Sequence, residues 1–241
     1  HFIAGLIYGQ RAQEVSMFSA PGFAKKTLKA FKTSVTLEPE NVDYRFALMS
    51  YYFIAPGIMG GSDKRGIEQG KEIKRLDRVK GYSATAFILR NDEEHEALAL
   101  HYDGAPEFVL NDSDFRLERA FYYQEKKNYA DAVDDFRSVI GMPLKSDDDL
   151  NNYIAMYQLG RTGVLSGEQL EIADSAMNDY LVDTPKDIQL PSEAWAKFRW
   201  AQIKLLLGQT VKARDLFNEA KVGANNAPLK KALKKVQKDF Q

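Results

Sequence analysis

No cysteine occurs in the 241 residues, which excludes disulfides, thiolate nucleophiles and thiolate metal sites together. Long apolar runs are missing as well: nothing approaches the roughly 20 residues that a membrane-crossing helix needs. Neither sign of charge dominates, with 33 Lys and Arg against 34 Asp and Glu and a net charge of −1. The basic excess of a nucleic-acid or membrane-surface protein is therefore absent, and neither partner is expected. Histidine is scarce, at three residues. His95 and His101 face nearly opposite sides of a helix, away from the i, i+4 spacing that shares a metal, and His101 falls at a packing position. Strand-like alternation of apolar and polar residues is absent throughout.

What the chain does contain is helical stripes. Hydrophobic residues make up 44% and charged residues 28%, enough for a sizeable core under a soluble surface. The clearest stretch is 114–143. Phe115, Ala120 and Tyr123 share one helix face, Asn128 breaks the run, and Ala132, Val133, Phe136, Val139 and Ile140 share a second. Offsets of three and four specify amphipathic helices. A single hairpin of this kind cannot bury its own apolar face and requires neighbours of the same design.

Six such hairpins can be read along the chain, at 2–37, 41–77, 81–110, 114–140, 147–183 and 192–222, followed by a capping helix at 228–240. In the first, residues 2–18 and 23–37 form the helices and Ser19-Ala20-Pro21-Gly22 the joint. Ser62 or Asp63 is the expected N-cap of the fourth helix, and Gly66 and Gly70 mark a smooth groove for a close neighbour. The bulky position of each second helix falls at Phe31, Gly70, His101, Phe136, Met177 and Phe217, spaced between 31 residues (70 to 101) and 41 residues (136 to 177). The last helix carries Leu229, Leu233, Val236 and Phe240 on one stripe and Lys230, Lys231, Lys234, Lys235 and Lys238 elsewhere. One apolar side and one charged side suit the end of a stacked array. No Gly, Ser or Pro linker divides the chain, so a single domain over 1–241 is expected.

Residue types that could carry chemistry all have plainer explanations. The loop at Pro56, Gly57, Gly60 and Gly61 lacks the Gly-Lys-Ser/Thr ending of a phosphate-binding loop and follows no strand. Asp147, Asp148 and Asp149 sit at a helix N-terminus, where the macrodipole favours negative charge. Ser166, in VLSGE, lacks the G-x-S-x-G frame of a hydrolase elbow. No catalytic constellation, metal site or cofactor site emerges, and the expectation is a non-enzymatic protein.

Small residues at both helix crossings, a later aromatic and a closing proline resemble the tetratricopeptide repeat (TPR) family, whose period is about 34 residues. The resemblance is carried by Ala120, Tyr123, Ala132 and Phe136 in the fourth hairpin. In the sixth it is carried by Trp200, Ala201, Gly208, Ala213, Phe217 and Ala220. The fifth keeps Leu159, Gly160, Ala173 and Pro185, with Met177 at the aromatic position, while the first three hairpins are degenerate. The family implies an all-α, right-handed superhelical solenoid, whose first helices line a concave face and present side chains to a protein or peptide. Matching positions here are Phe46, Ser50, Leu117, Phe121, Gln124, Tyr157, Arg161, Phe198 and Gln202. The paired Lys and Asn with which some members clamp a peptide's terminal carboxylate are not evident, so an apolar groove reading side chains is expected. The alternative is an exported accessory protein holding a small apolar or anionic ligand. The sequence opens at His1 without Met, and the loop APGIMGG with the stretch YQLGRTGVLSGEQLE is similar to segments of exported bacterial members. Those features give the expectation of a cleaved export signal and a periplasmic location, with the cytoplasm as the alternative.

Overall fold

Apolar stripes at offsets of three and four become helices wherever a cap can start them. The computed structural model describes residues 1–16, 18–146, 149–185 and 189–240. Among these the secondary structure is helical, with no strand. Helices α1 (Phe2–Glu14) and α2 (Ala20–Leu37), α3 (Val42–Ile54) and α4 (Asp63–Leu76), and α5 (Arg78–Asn91) and α6 (His95–Asp103) form successive hairpins. The short α7 (Glu107–Leu110) precedes α8 (Ser113–Glu125) and α9 (Tyr129–Ile140). Then come α10 (Asn151–Ser166) with α11 (Leu170–Asp183), α12 (Glu193–Leu206) with α13 (Thr210–Val222), and α14 (Ala227–Val236).

Side-chain caps begin several of them. Asn41, Ser62, Asp77, Ser192 and Asn226 each accept from a backbone N–H of the helix they precede. Gly167 and Gly208 turn the chain with φ of +73°, a conformation open to glycine at little steric cost.

Two boundaries differ from the sequence reading. Pro21 and Gly22 do not form the first joint but lie inside the first turn of α2, where proline's missing N–H has no intrahelical partner to lose. The third hairpin, read as breaking at Asn91-Asp92 and ending near 110, has a shorter second helix: α6 stops at Asp103, and Gly104-Ala105-Pro106 separates it from α7. Proline at 106 disfavours the helical region for its predecessor. The acidic residues Asp147 and Asp148, expected at a helix start, lie outside the described residues.

The chain falls into two compact units, 1–115 and 116–241, with the boundary in the first turn of α8. In the first unit, Phe31, Leu48 and Tyr52 form one cluster, and Met49, Ile73 and Ala84 another, against Phe46, Phe53, Phe87 and Ile88. The expected tight approach at α4 is present. A Cβ at Gly66 would stand 2.4 Å from Phe53 Cε2, and one at Gly70 2.8 Å from Ile88 Cδ1. His101 is a packing residue: its ring stacks on Tyr82 at 4.8 Å, and Nε2–H donates to the Tyr82 carbonyl at 3.0 Å.

In the second unit, Ala120, Ala132, Ala173, Ala201, Ala213 and Ala220 are buried at the helix crossings. Leu229, Leu233 and Phe240 complete the final cluster, where Phe217 and Phe240 stack at 4.3 Å. The five lysines of the last helical segment all face solvent. Buried cations in this unit are mostly paired with acids. Arg116 and Arg119 hold Asp135 at 3.1 and 2.7 Å, and Lys204 holds Asp174 at 2.7 Å.

Candidate functional site

In the first unit, α1 and α3 are both first helices of their hairpins, and α2 runs beneath them. Small side chains along all three, including Gly9, Ala12, Ala24 and Ala47, leave an open groove of about 590 Å³. Its walls are Leu6, Gly9 and Gln13 on α1 and Ser50, Tyr51 and Ile54 on α3. Its floor is Ala24, Thr27 and Phe31, and Pro56 and Met59 close one side. Among the described residues no charged side chain lines it. The polar groups present are largely satisfied: Thr27 Oγ1 donates to the Phe23 carbonyl, and the Tyr51 hydroxyl lies 2.9 and 2.8 Å from the carbonyls of Ala24 and Met59. Burial pushes the Tyr51 phenol above its usual range, so it remains a neutral donor. Such a surface favours uncharged, apolar groups, because a charge placed there loses water without gaining a partner.

In the second unit, the first helices α8, α10 and α12 carry a polar and aromatic set. Arg161 Nη1 donates to Gln124 Oε1 at 2.7 Å and to Gln158 Oε1 at 3.2 Å. Gln124 Nε2 in turn donates to Thr162 Oγ1 at 2.8 Å, and Thr162 Oγ1 to the Gln158 carbonyl at 2.7 Å. On α12, Arg199 Nη1 donates to Gln202 Oε1 at 2.8 Å, and its guanidinium lies 5.5 Å from the Trp195 ring and 5.4 Å from that of Phe198. The buried Tyr157 stands within the influence of both arginines. Burial raises its pKa, and the charge of Arg199, a hydrogen bond from Arg199 and the charge of Arg161 oppose that rise.

No family model and no curated protein matches the sequence. Among solved structures, BtubC (BKLC) from P. vanneervenii superposes with a TM-score of 0.60 at 11% identity, over 91% of this chain and 93% of that one. Paired helices crossing at alanine and glycine recur in both units, and this likeness extends over nearly the whole chain. The fold resembles a TPR-like helical array. A putative kinesin light chain from Podosopora anserina, described as having nearly identical TPR-like repeats, is 15% identical over 91% of this chain and 92% of that one, with a TM-score of 0.42.

The positions matched to the TPR pattern separate by exposure. Ser50 lines the groove of the first unit. Phe46, on the same helix, turns toward α5 and meets Phe87 edge-on at 5.9 Å. Phe121 is 37% exposed and lies edge-on to Phe136 at 5.7 Å. Arg161 and Gln202 are half-buried, and Leu117, Gln124, Tyr157 and Phe198 are buried. The structure therefore joins Gln124 and Arg161 in one hydrogen-bonded network and sets Gln202 beside Arg199.

Two features were not singled out from the sequence. One is Arg199, although its spacing from Trp195 and Gln202 places all three along one helix face. The other is the α1 side of the groove, whose signal is the small pair Gly9 and Ala12 within a helical run. Among the described residues, no group of three or more His, Asp or Glu is arranged to hold a metal ion. No helix among them is long and apolar enough to cross a membrane.

Proposed function

We propose that the chain is a binding scaffold whose first helices receive a protein or peptide partner. The groove between α1 and α3 takes an uncharged, apolar segment. The observation that carries this reading is the open 590 Å³ groove, whose walls among the described residues hold no charged side chain. Small residues rather than a conformational change create the space, so the site is pre-formed and a guest need not drive refolding. A TPR-like fold supports the reading, since such repeats commonly serve as interaction scaffolds.

The test is selection of displayed peptides on the full chain, followed by affinity measurement with Ser50→Arg. Selected sequences should be rich in apolar residues and poor in Asp, Glu, Lys and Arg. Ser50→Arg should weaken binding at least about tenfold, because a guest would desolvate the new charge, while the melting temperature stays close to that of the parent. Unchanged affinity in a folded Ser50→Arg protein would remove the groove from consideration. A second reading, an accessory protein retaining a small apolar ligand, draws on the same volume. Native mass spectrometry of freshly purified protein, showing a stoichiometric bound small molecule, would favour it.

A further inference from the structure

From Phe2 to Gln10, α1 carries no charged side chain. Its Ile3, Leu6, Ile7 and Gln10 follow offsets of three and four and so share one helix face. Ile3 and Ile7 are 64% and 53% exposed. Both neighbour Leu6 on that face, and Leu6 forms part of the groove wall while neither isoleucine does. Ile54, on the opposite wall, is exposed as well. A helix at the margin of a stacked array turns polar groups to water, as α14 does with its lysines. The stripe on α1 is instead uncharged and largely apolar, and it runs directly into the uncharged groove.

We propose that a second copy of this chain covers the stripe: α1 of each protomer lies in its partner's groove, the two related by a two-fold axis. The proposal rests on reading the groove as a binding surface, and it names the occupant. Length agrees. The groove extends from Leu6 to Gln13 on α1 and from Ala47 to Ile54 on α3. The stripe from Ile3 to Gln10 spans the same seven residue steps, about 10 Å at the helical rise of roughly 1.5 Å per residue. Charge agrees too. Antiparallel helices centred between Leu6 and Ile7 set Ile3 against the partner's Gln10 and Ile7 against the partner's Leu6. Arg11 and Glu14 already pair with each other at 3.5 Å. They fall at the ends of such a contact and keep their water, so no charge is buried.

Symmetry favours a second copy over a foreign segment. Groove and stripe belong to the same helix, so one two-fold contact fills both grooves and covers both stripes. A foreign apolar peptide would fill the groove and leave Ile3 and Ile7 in water, without the gain of burying them. The contact is isologous and closes at two copies, because each stripe that enters a groove is used up.

Sedimentation velocity of the full chain, from low to several hundred micromolar, tests this. The parent should pass from monomer to dimer and stop there. Ile7→Asp brings a carboxylate from each protomer beside the axis without a partner, and should raise the dimer dissociation constant roughly a hundredfold or more. Ser50→Arg, which puts a charge on the groove wall, should raise it at least about tenfold. Circular dichroism of both variants should match the parent, and Ile3→Asp repeats the first test should Ile7→Asp fail to fold. The chain has no cysteine, so Ile7→Cys introduces a single thiol close to the axis. Under mild oxidation it should form a disulfide-linked dimer much faster than Thr36→Cys, at an exposed position on α2. A parent that stays monomeric, growth beyond two copies, a dimer that survives Ile7→Asp or Ser50→Arg, or equal oxidation rates would each overturn the proposal. A monomeric parent whose selected peptides are lost in Ser50→Arg would leave the groove standing with another occupant. A dimer lost in Ile7→Asp but intact in Ser50→Arg, with peptide binding equally indifferent to that change, would take the groove itself away.

Discussion

A methyl group added at Gly9 and one added at Gly163 should act in opposite directions, although both glycines lie inside helices. Glycine to alanine in a helix interior gains about 1 kcal/mol of propensity. At Gly9 the new Cβ meets nothing closer than Thr27 Cγ2 at 3.6 Å, so the gain is kept and Gly9→Ala should stabilise by up to about 1 kcal/mol. At Gly163 it would stand 2.5 Å from Ala173 Cβ, and overpacking of about 1–3 kcal/mol outweighs the propensity. Urea midpoints of the two variants check the signs. Because Gly9 lines the groove, its stabilised variant should also bind selected peptides less well.

His101 gives a pH dependence of definite sign. Burial disfavours the imidazolium and lowers the pKa; the hydrogen bond to the Tyr82 carbonyl opposes this, and the Lys74 charge adds to the lowering. The unfolded chain then takes up a proton at a pH where the fold does not. The contribution is fully present above the unfolded value of about 6.5 and is lost as the pH falls through the lower folded value. The urea midpoint of the parent should fall between about pH 7 and 5, and that fall should be shallower in His101→Gln.

At the scale of elements, Asp135 ties α9 to α8 through two arginines. Its side chain is buried and both partners are largely so. Asp135→Asn removes the buried negative charge that both guanidinium groups share, with an expected cost of about 3–5 kcal/mol by thermal or urea unfolding. Asn226→Ala, which removes the cap accepting from Leu229 N–H, should cost only about 1 kcal/mol.

Helix existence was legible because the 3.6-residue period is a local property, repeated clearly from Phe115 to Ile140. The position of Pro21 was harder to read, since proline signals both a joint and a helix start, and only the caps around it decide. The break at Gly104-Ala105-Pro106 was there in composition but was hidden by the apolar run on either side. Site residues were the least legible. Phe46 and Phe198 have the right period for an inner face, yet each meets a neighbouring ring instead, and that choice depends on side chains far away in sequence. Arg199 escaped notice because nothing local shows that a cation lacks an acid. That is a property of the whole neighbourhood.

At the scale of the whole molecule, each compact unit has its own core, and repeat arrays need not unfold in one step. Both tryptophans, Trp195 and Trp200, lie on α12 in the second unit. Tryptophan fluorescence therefore reports that unit, whereas far-ultraviolet circular dichroism reports all helices. In Asp135→Asn the fluorescence transition should move to lower urea, and the dichroism curve should broaden or split. Coincident curves that shift together would show a single cooperative block.

The Tyr51 hydroxyl, set between the carbonyls of Ala24 and Met59, has one hydrogen to divide between a helix and a loop. One hydrogen cannot serve both oxygens at once, so detaching the Met59 side strands no donor. The rim beside Pro56 and Met59 can accordingly loosen without leaving the Tyr51 O–H unpaired. Guests of unequal girth would be accommodated by that margin, at the cost of half a shared hydrogen bond rather than of any packing in the interior.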